Sequence, residues 1–110
     1  MNVSKISEAK AFEIKPGRTR RILNTDHLMM VAFDFADGPA AQPDPPHTHP
    51  HEQVTYVAEV EVFFFVGEES TRLVPGDMVA VPPDLPHRIQ LITPKARLID
   101  TFTPLRQDFL

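Results

Sequence analysis

His47-Thr48-His49-Pro50-His51-Glu52-Gln53 packs three of the chain's five histidines into five positions, directly after the proline-rich run Gln42-Pro43-Asp44-Pro45-Pro46. Proline fixes φ and removes a backbone donor, so this approach is stiff and extended rather than helical. Side chains alternate along an extended chain, so His47, His49, His51 and Gln53 share one side and Glu52 points to the other. Imidazoles two residues apart on one strand can converge on a single cation. A solvated histidine tract is the competing reading of this stretch alone.

Outward from this stretch the chain reads as strands. Towards the N-terminus, His27 to Phe35 puts Met29, Val31, Phe33 and Phe35 on one face. Leu28, Met30, Ala32 and Asp34 lie on the other, a pattern expected of a strand covered on both sides. Arg18 to Leu23 reads as a strand whose Arg18, Arg20 and Arg21 form a solvated basic face, with a grip on an acidic ligand or a partner subunit as the alternative. Met1 to Lys10 is expected to be a loose arm or edge strand, with Phe12 and Ile14 alternating behind it. Towards the C-terminus, Val54–Val57, Glu61–Val66, Ser70–Val74, Met78–Val81, His87–Ile92 and Ala96–Thr101 are short apolar runs separated by Gly, Pro and Asp turns. No helical period is sustained. An all-β sandwich or barrel is expected.

Composition sets the outer bounds. A chain of 110 residues is expected to form one domain, residues 1–110, with residues 1–12 as an N-terminal arm or exchanged strand. The absence of cysteine excludes disulfides, thiolate metal sites and cysteine nucleophiles. A net charge of −4 argues against nucleic acid as a partner. No apolar run reaches membrane-spanning length, and Met1-Asn2-Val3-Ser4-Lys5-Ile6 lacks a signal-peptide core, so no membrane partner and a cytoplasmic location are expected.

A second cluster lies thirty-odd residues beyond the first: Gly76-Asp77, Pro82, and His87 after the stiff Pro82-Pro83-Asp84-Leu85-Pro86. Together, His47-x-His49-x3-Gln53 and Gly76-Asp77-x4-Pro82-x4-His87 resemble the two motifs of the cupin superfamily. The resemblance implies a single double-stranded β-helix, the cupin jelly-roll barrel. By position it implies a divalent transition metal (Zn, Ni, Fe or Mn) held by His47, His49, Gln53 and His87. Three positions depart from the family pattern. Gln53 stands for Glu, Val60 for the Gly that closes the first motif, and Asp84 for the Gly of the second. Three imidazoles and an amide leave the charge of a divalent ion uncompensated, giving a stronger Lewis acid that is held less tightly. They also lack the carboxylate of the two-histidine, one-carboxylate arrangement of non-haem iron oxygenases. Glu52 would supply one only if a bulge at Pro50 reversed the register. His51 is kept beside the ligands or exposed, His27 structural or exposed, and Tyr56 as a packing residue or a donor into the lumen.

On the last strand Leu98, Asp100 and Phe102 share a face, where an aspartate is costly to bury unless paired or useful. A solvated outer face is the alternative, and Arg106 by itself is a surface charge. The run from Asp100 to Leu110 is similar to the closing segment of small cupins of the pectin-degradation group, as is the glutamine ligand. This resemblance implies conversion of 4,5-unsaturated uronate monosaccharides to linear keto acids, with Asp100, Phe102 and Arg106 lining the pocket: Asp100 as general acid/base, Phe102 as an apolar wall and Arg106 as the fork that grips the uronate carboxylate. It also implies a small anionic sugar or organic acid as ligand and a homodimer. An iron oxygenase of a small organic acid and a non-catalytic metal- or sugar-binding cupin are the alternatives.

Overall fold

The computed structural model describes residues 1–8 and 10–110. Among the described residues nine strands follow in order: β1 Phe12–Lys15, β2 Arg18–Asn24, β3 Met29–Phe35, β4 Glu52–Glu59, β5 Val62–Val66, β6 Glu69–Leu73, β7 Met78–Val81, β8 His87–Leu91 and β9 Ala96–Thr103. A 3-10 turn, Gln107–Phe109, follows. They form two antiparallel sheets, ordered β1-β2-β3-β9-β4-β7 and β6-β5-β8, the all-β jelly roll the sequence implied. Residues 1–8 form no strand, and β1 sits at the edge of the larger sheet.

The proline-rich approach closes the smaller sheet without completing a ladder. Ala40, Asp44 and His47 donate their amides to Leu91, Ile89 and His87 at 2.9, 2.9 and 3.1 Å, and His87 returns one to His47 at 3.0 Å. Proline offers no donor, so Pro43, Pro45 and Pro46 leave this segment bound at intervals to β8 rather than paired throughout. The segments carrying the two histidine motifs are thereby stitched together through the His47–His87 bridge.

Cross-strand register decides which side chains enter the barrel. Ile22, Val31, Asp100, Thr55 and Val79 make one line across the larger sheet, and Arg20, Phe33, Leu98 and Val57 the next. Phe35, Val57, Val62, Phe64, Leu73, Val81, Leu91, Ala96 and Leu98 fill one end of the interior. Met29, Val31 and Phe102 form a smaller cluster, with Phe33 and Phe109 packed against it. The strand around Met29 turns its predicted face inward, but its opposite face is not covered: Leu28 and Met30 are exposed. In the outer lines, Leu23, Met30 and Val54 align, followed by Tyr56 and Met78, all exposed. Tyr56 therefore points away from the lumen.

Two family glycines are replaced by residues in left-handed conformation, Val60 at φ 65° and Asp84 at φ 64°. Asp tolerates this region. Val60 does not escape the turn's demand for φ > 0, contrary to what its identity suggests, and its β-branched side chain strains the β4–β5 connection.

Candidate metal centre and cavity

His47 and His49 approach His87 from the neighbouring segment, with ring centroids 4.1 and 4.7 Å from it. One ring nitrogen from each of the three lies within 4.8 Å of the others. Two of the rings are held from behind by backbone carbonyls. His49 Nδ1 donates to the His51 carbonyl at 3.1 Å, and His87 Nδ1 to that of Leu85 at 2.9 Å. A carbonyl only accepts, so each neutral ring keeps its Nε2 lone pair free. His87 Nε2 is buried with no hydrogen-bond partner among the described residues. Outer hydrogen bonds of this kind orient metal-binding histidines.

Gln53 completes the fourth side. Its Oε1 lies 2.9 Å from His49 Nε2, while its amide donates to Thr55 Oγ1 at 2.9 Å. With the histidine proton on Nδ1, two lone pairs face one another, an arrangement that a cation stabilises. Burial first, then mutual repulsion of the rings and Arg106, pushes His47 down to about 4, although its outer edge is exposed. Burial also lowers His49 and His87. The rings are neutral at pH 7 and available as donors. Their tautomers, the orphaned Nε2 and the neutral oxygen donor fit a borderline divalent transition metal.

The neighbouring residues fall as follows. His51 lies at the bend before β4, half-buried and outside the trio, and supports His49 through its carbonyl. Glu52 is exposed and turned away, so the register does not reverse at Pro50. His27 is exposed.

His47 and His87 open onto a cavity of about 500 Å³ lined by Phe33, Gln53, Asp100, Phe102, Arg106 and Phe109, among others. Asp100 is half-buried and faces inward, not outward to solvent. Burial pushes its carboxyl up to about 7, against a 2.6 Å hydrogen bond from Thr55 and the charge of Arg106, which pull it down. Phe102 is buried, its ring edge-on to His49 at 5.5 Å. Arg106 is not a free surface charge. It lies over the rings of Phe102 and Phe109 and donates to both Asp108 oxygens, at 3.3 and 2.8 Å. Thr55, which the sequence reading passed over, links Gln53 to Asp100. Its inward side was legible, since it lies two residues from Gln53 on β4.

The basic face expected of β2 is divided. Arg21 lies on the outer side, 3.6 Å from Asp34. Arg18 and Arg20 face inward, and Arg18 is clamped by Asp37 and Asp44 at 2.9 and 2.6 Å. No helix among the described residues is long and apolar enough to cross a membrane.

The cupin domain family matches residues 34–102. The chain is similar to the pectin degradation protein KdgF of Dickeya dadantii, 35% identical over 100 residues, covering 89% of this chain and 88% of that protein. Among solved structures, an RmlC-like cupin from Shewanella frigidimarina is 34% identical with a TM-score of 0.89, covering 100% of this chain and 96% of the other. KdgF from a Halomonas species is 31% identical with a TM-score of 0.86, covering 96% of both chains.

Proposed function

The chain belongs to the cupin superfamily, and from that premise we propose that it is a metal-dependent cytoplasmic enzyme linearising 4,5-unsaturated uronate monosaccharides to keto sugar acids. The observation that carries this reading is the convergence of three histidine nitrogens within 4.8 Å beside a cavity that Asp100 also lines. Similarity to two KdgF proteins, one named for pectin degradation, supports the substrate class.

His47, His49, His87 and Gln53 would hold the divalent ion. When bound, it supplies Lewis-acid polarisation of a sugar oxygen. Opening a cyclic hemiacetal and converting an enol to a ketone removes one proton from oxygen and delivers one to carbon. A carboxyl raised to about 7 can do both near neutral pH, and Asp100 is the group assigned to it. Thr55 donates to Asp100 Oδ1 and holds the carboxyl in place. Phe102 walls the site, and the positive charge of Arg106 attracts an anionic sugar. The oxygenase alternative is weaker here, because Glu52 is turned away from the trio and Gln53 is neutral.

The test is to follow the ultraviolet absorbance of 4,5-unsaturated galacturonate. Wild type is expected to accelerate its decay over buffer, and Asp100→Asn to retain the metal but lose turnover. Metal loss in that variant would mean the roles are misassigned. Turnover in neither protein, despite ligand binding, would favour the non-catalytic alternative.

A homodimer is part of the same proposal. The outer face of the larger sheet carries Leu23, Met30, Val54, Tyr56 and Met78 exposed. Asp34, Arg97 and Glu59, of alternating sign, lie across the same face. A two-fold axis would match such a row to itself in a second copy.

A further inference from the structure

One of the cations lining the cavity is stacked on aromatic rings at the inward face of β2. Arg20 lies on the inward line of β2, beside Phe33 and in sequence with Leu98 and Val57 across the sheet. It lines the same cavity as Asp100, His47, His87 and Gln53. Its guanidinium is held by aromatic rings rather than by a carboxylate, 4.6 Å from the centroid of Phe12 and 4.2 Å from that of Phe109. Among the described residues its side chain makes no hydrogen bond or ion pair, and its Nε is buried without a partner.

The other cations at the cavity are differently placed. Arg18 is neutralised by Asp37 and Asp44, and the Nε edge of Arg106 is occupied by Asp108. Arg88 lies over Phe65, and Lys15 is on the exposed edge strand. Loss of hydration lowers the Arg20 pKa, with Asp108 opposing and Arg106 reinforcing the effect. A partly dehydrated guanidinium with no carboxylate bonded to it is unfavourable in itself and gains when an anion arrives. Stacking also fixes its plane, so little freedom is lost on binding.

We infer that Arg20 is a specificity-determining residue of this site, the guanidinium that takes the carboxylate of the sugar acid, with Arg106 adding charge beside Phe109. The inference rests on the uronate reading. It names the residue that makes the site select an acid over a neutral sugar. Arg20 touches the carboxylate and not the reacting atoms, so its effect falls on binding.

The test uses metal-loaded wild type, Arg20→Gln and Arg20→Lys. Kinetics are measured with 4,5-unsaturated galacturonate, and calorimetric binding with saturated galacturonate and, as a neutral comparison, galactose. Loss of a charge-assisted pair predicts a KM raised roughly 10- to 100-fold in Arg20→Gln, with kcat changed less than about threefold. Galacturonate binding is expected to weaken in parallel and galactose binding to stay unchanged. Arg20→Lys, which keeps charge but not the fork, should lie between the two and controls for misfolding. If wild type is active and Arg20→Gln keeps its KM and galacturonate affinity, the Arg20 assignment is overturned while the uronate reading stands. If wild type neither turns over the unsaturated sugar nor binds galacturonate, the uronate reading fails and the assignment fails with it.

Discussion

Replacing Asp100 by asparagine removes one charge while keeping the shape of the side chain. The asparagine oxygen can still accept from Thr55, which lies 2.6 Å from the native carboxylate. In metal-free protein the folded state holds the Asp100 carboxyl at about 7, raised from 3.8. Folding then favours the protonated form. The contribution is fully present below about pH 3.8 and is lost progressively as pH rises to about 7, above which it stays constant. At about 1.36 kcal/mol per pKa unit the full loss has a ceiling of roughly 4 kcal/mol, and partial exposure to the cavity reduces it to about 2 kcal/mol. Asparagine does not ionise and escapes this cost. In chelator-treated protein, Asp100→Asn should match wild type near pH 4 and exceed it by about 2 kcal/mol at pH 8, or roughly 10 °C in Tm for a chain of this length. Thermal unfolding of both proteins from pH 4 to 8.5 measures the difference directly, because the other titrating groups are common to both. A gap that does not change with pH, or one that opens towards acid, would refute a raised Asp100 carboxyl. The same variant with its metal should lose about 10²- to 10⁴-fold in turnover, the usual contribution of a general acid–base group.

Gln53→Glu should tighten the metal by about tenfold by adding a negative ligand, read by chelator competition, and slow turnover by weakening the Lewis acid. Val60→Gly should relieve the left-handed strain at φ 65° and raise stability by about 0.5–1 kcal/mol, seen as a higher urea midpoint with unchanged slope. Tyr56→Glu with Met78→Glu on the outer sheet face should shift sedimentation from dimer to monomer while leaving the metal content unchanged; a wild type that sediments as a monomer contradicts the dimer.

Much of the architecture was legible in the sequence because its signals are local. Proline and glycine punctuate it, and Met78–Val81 is bounded as the apolar pattern suggests. The two histidine motifs likewise identified side chains that do come together. Sidedness was harder. Alternation in Arg18, Arg20 and Ile22 sets which residues share a face, but only the pairing of β2 with β3 turns that face inward. Charge suggested solvent for these arginines, while ion pairs and aromatic stacking hold them inside. The same missing information made the Leu28 and Met30 side of β3 look covered, since an apolar pattern does not say whether a second layer packs on it. At Val60 the position in the turn outweighs side-chain preference, a conflict that only backbone angles reveal.

Elemental analysis of purified wild type and His87→Ala, each supplied with the same divalent ions and then dialysed, addresses the joint use of the two histidine segments most directly. The account predicts about one ion per wild-type chain and almost none in the variant, with the fold intact by circular dichroism. Equal metal content in the two proteins, or none in wild type, would contradict it.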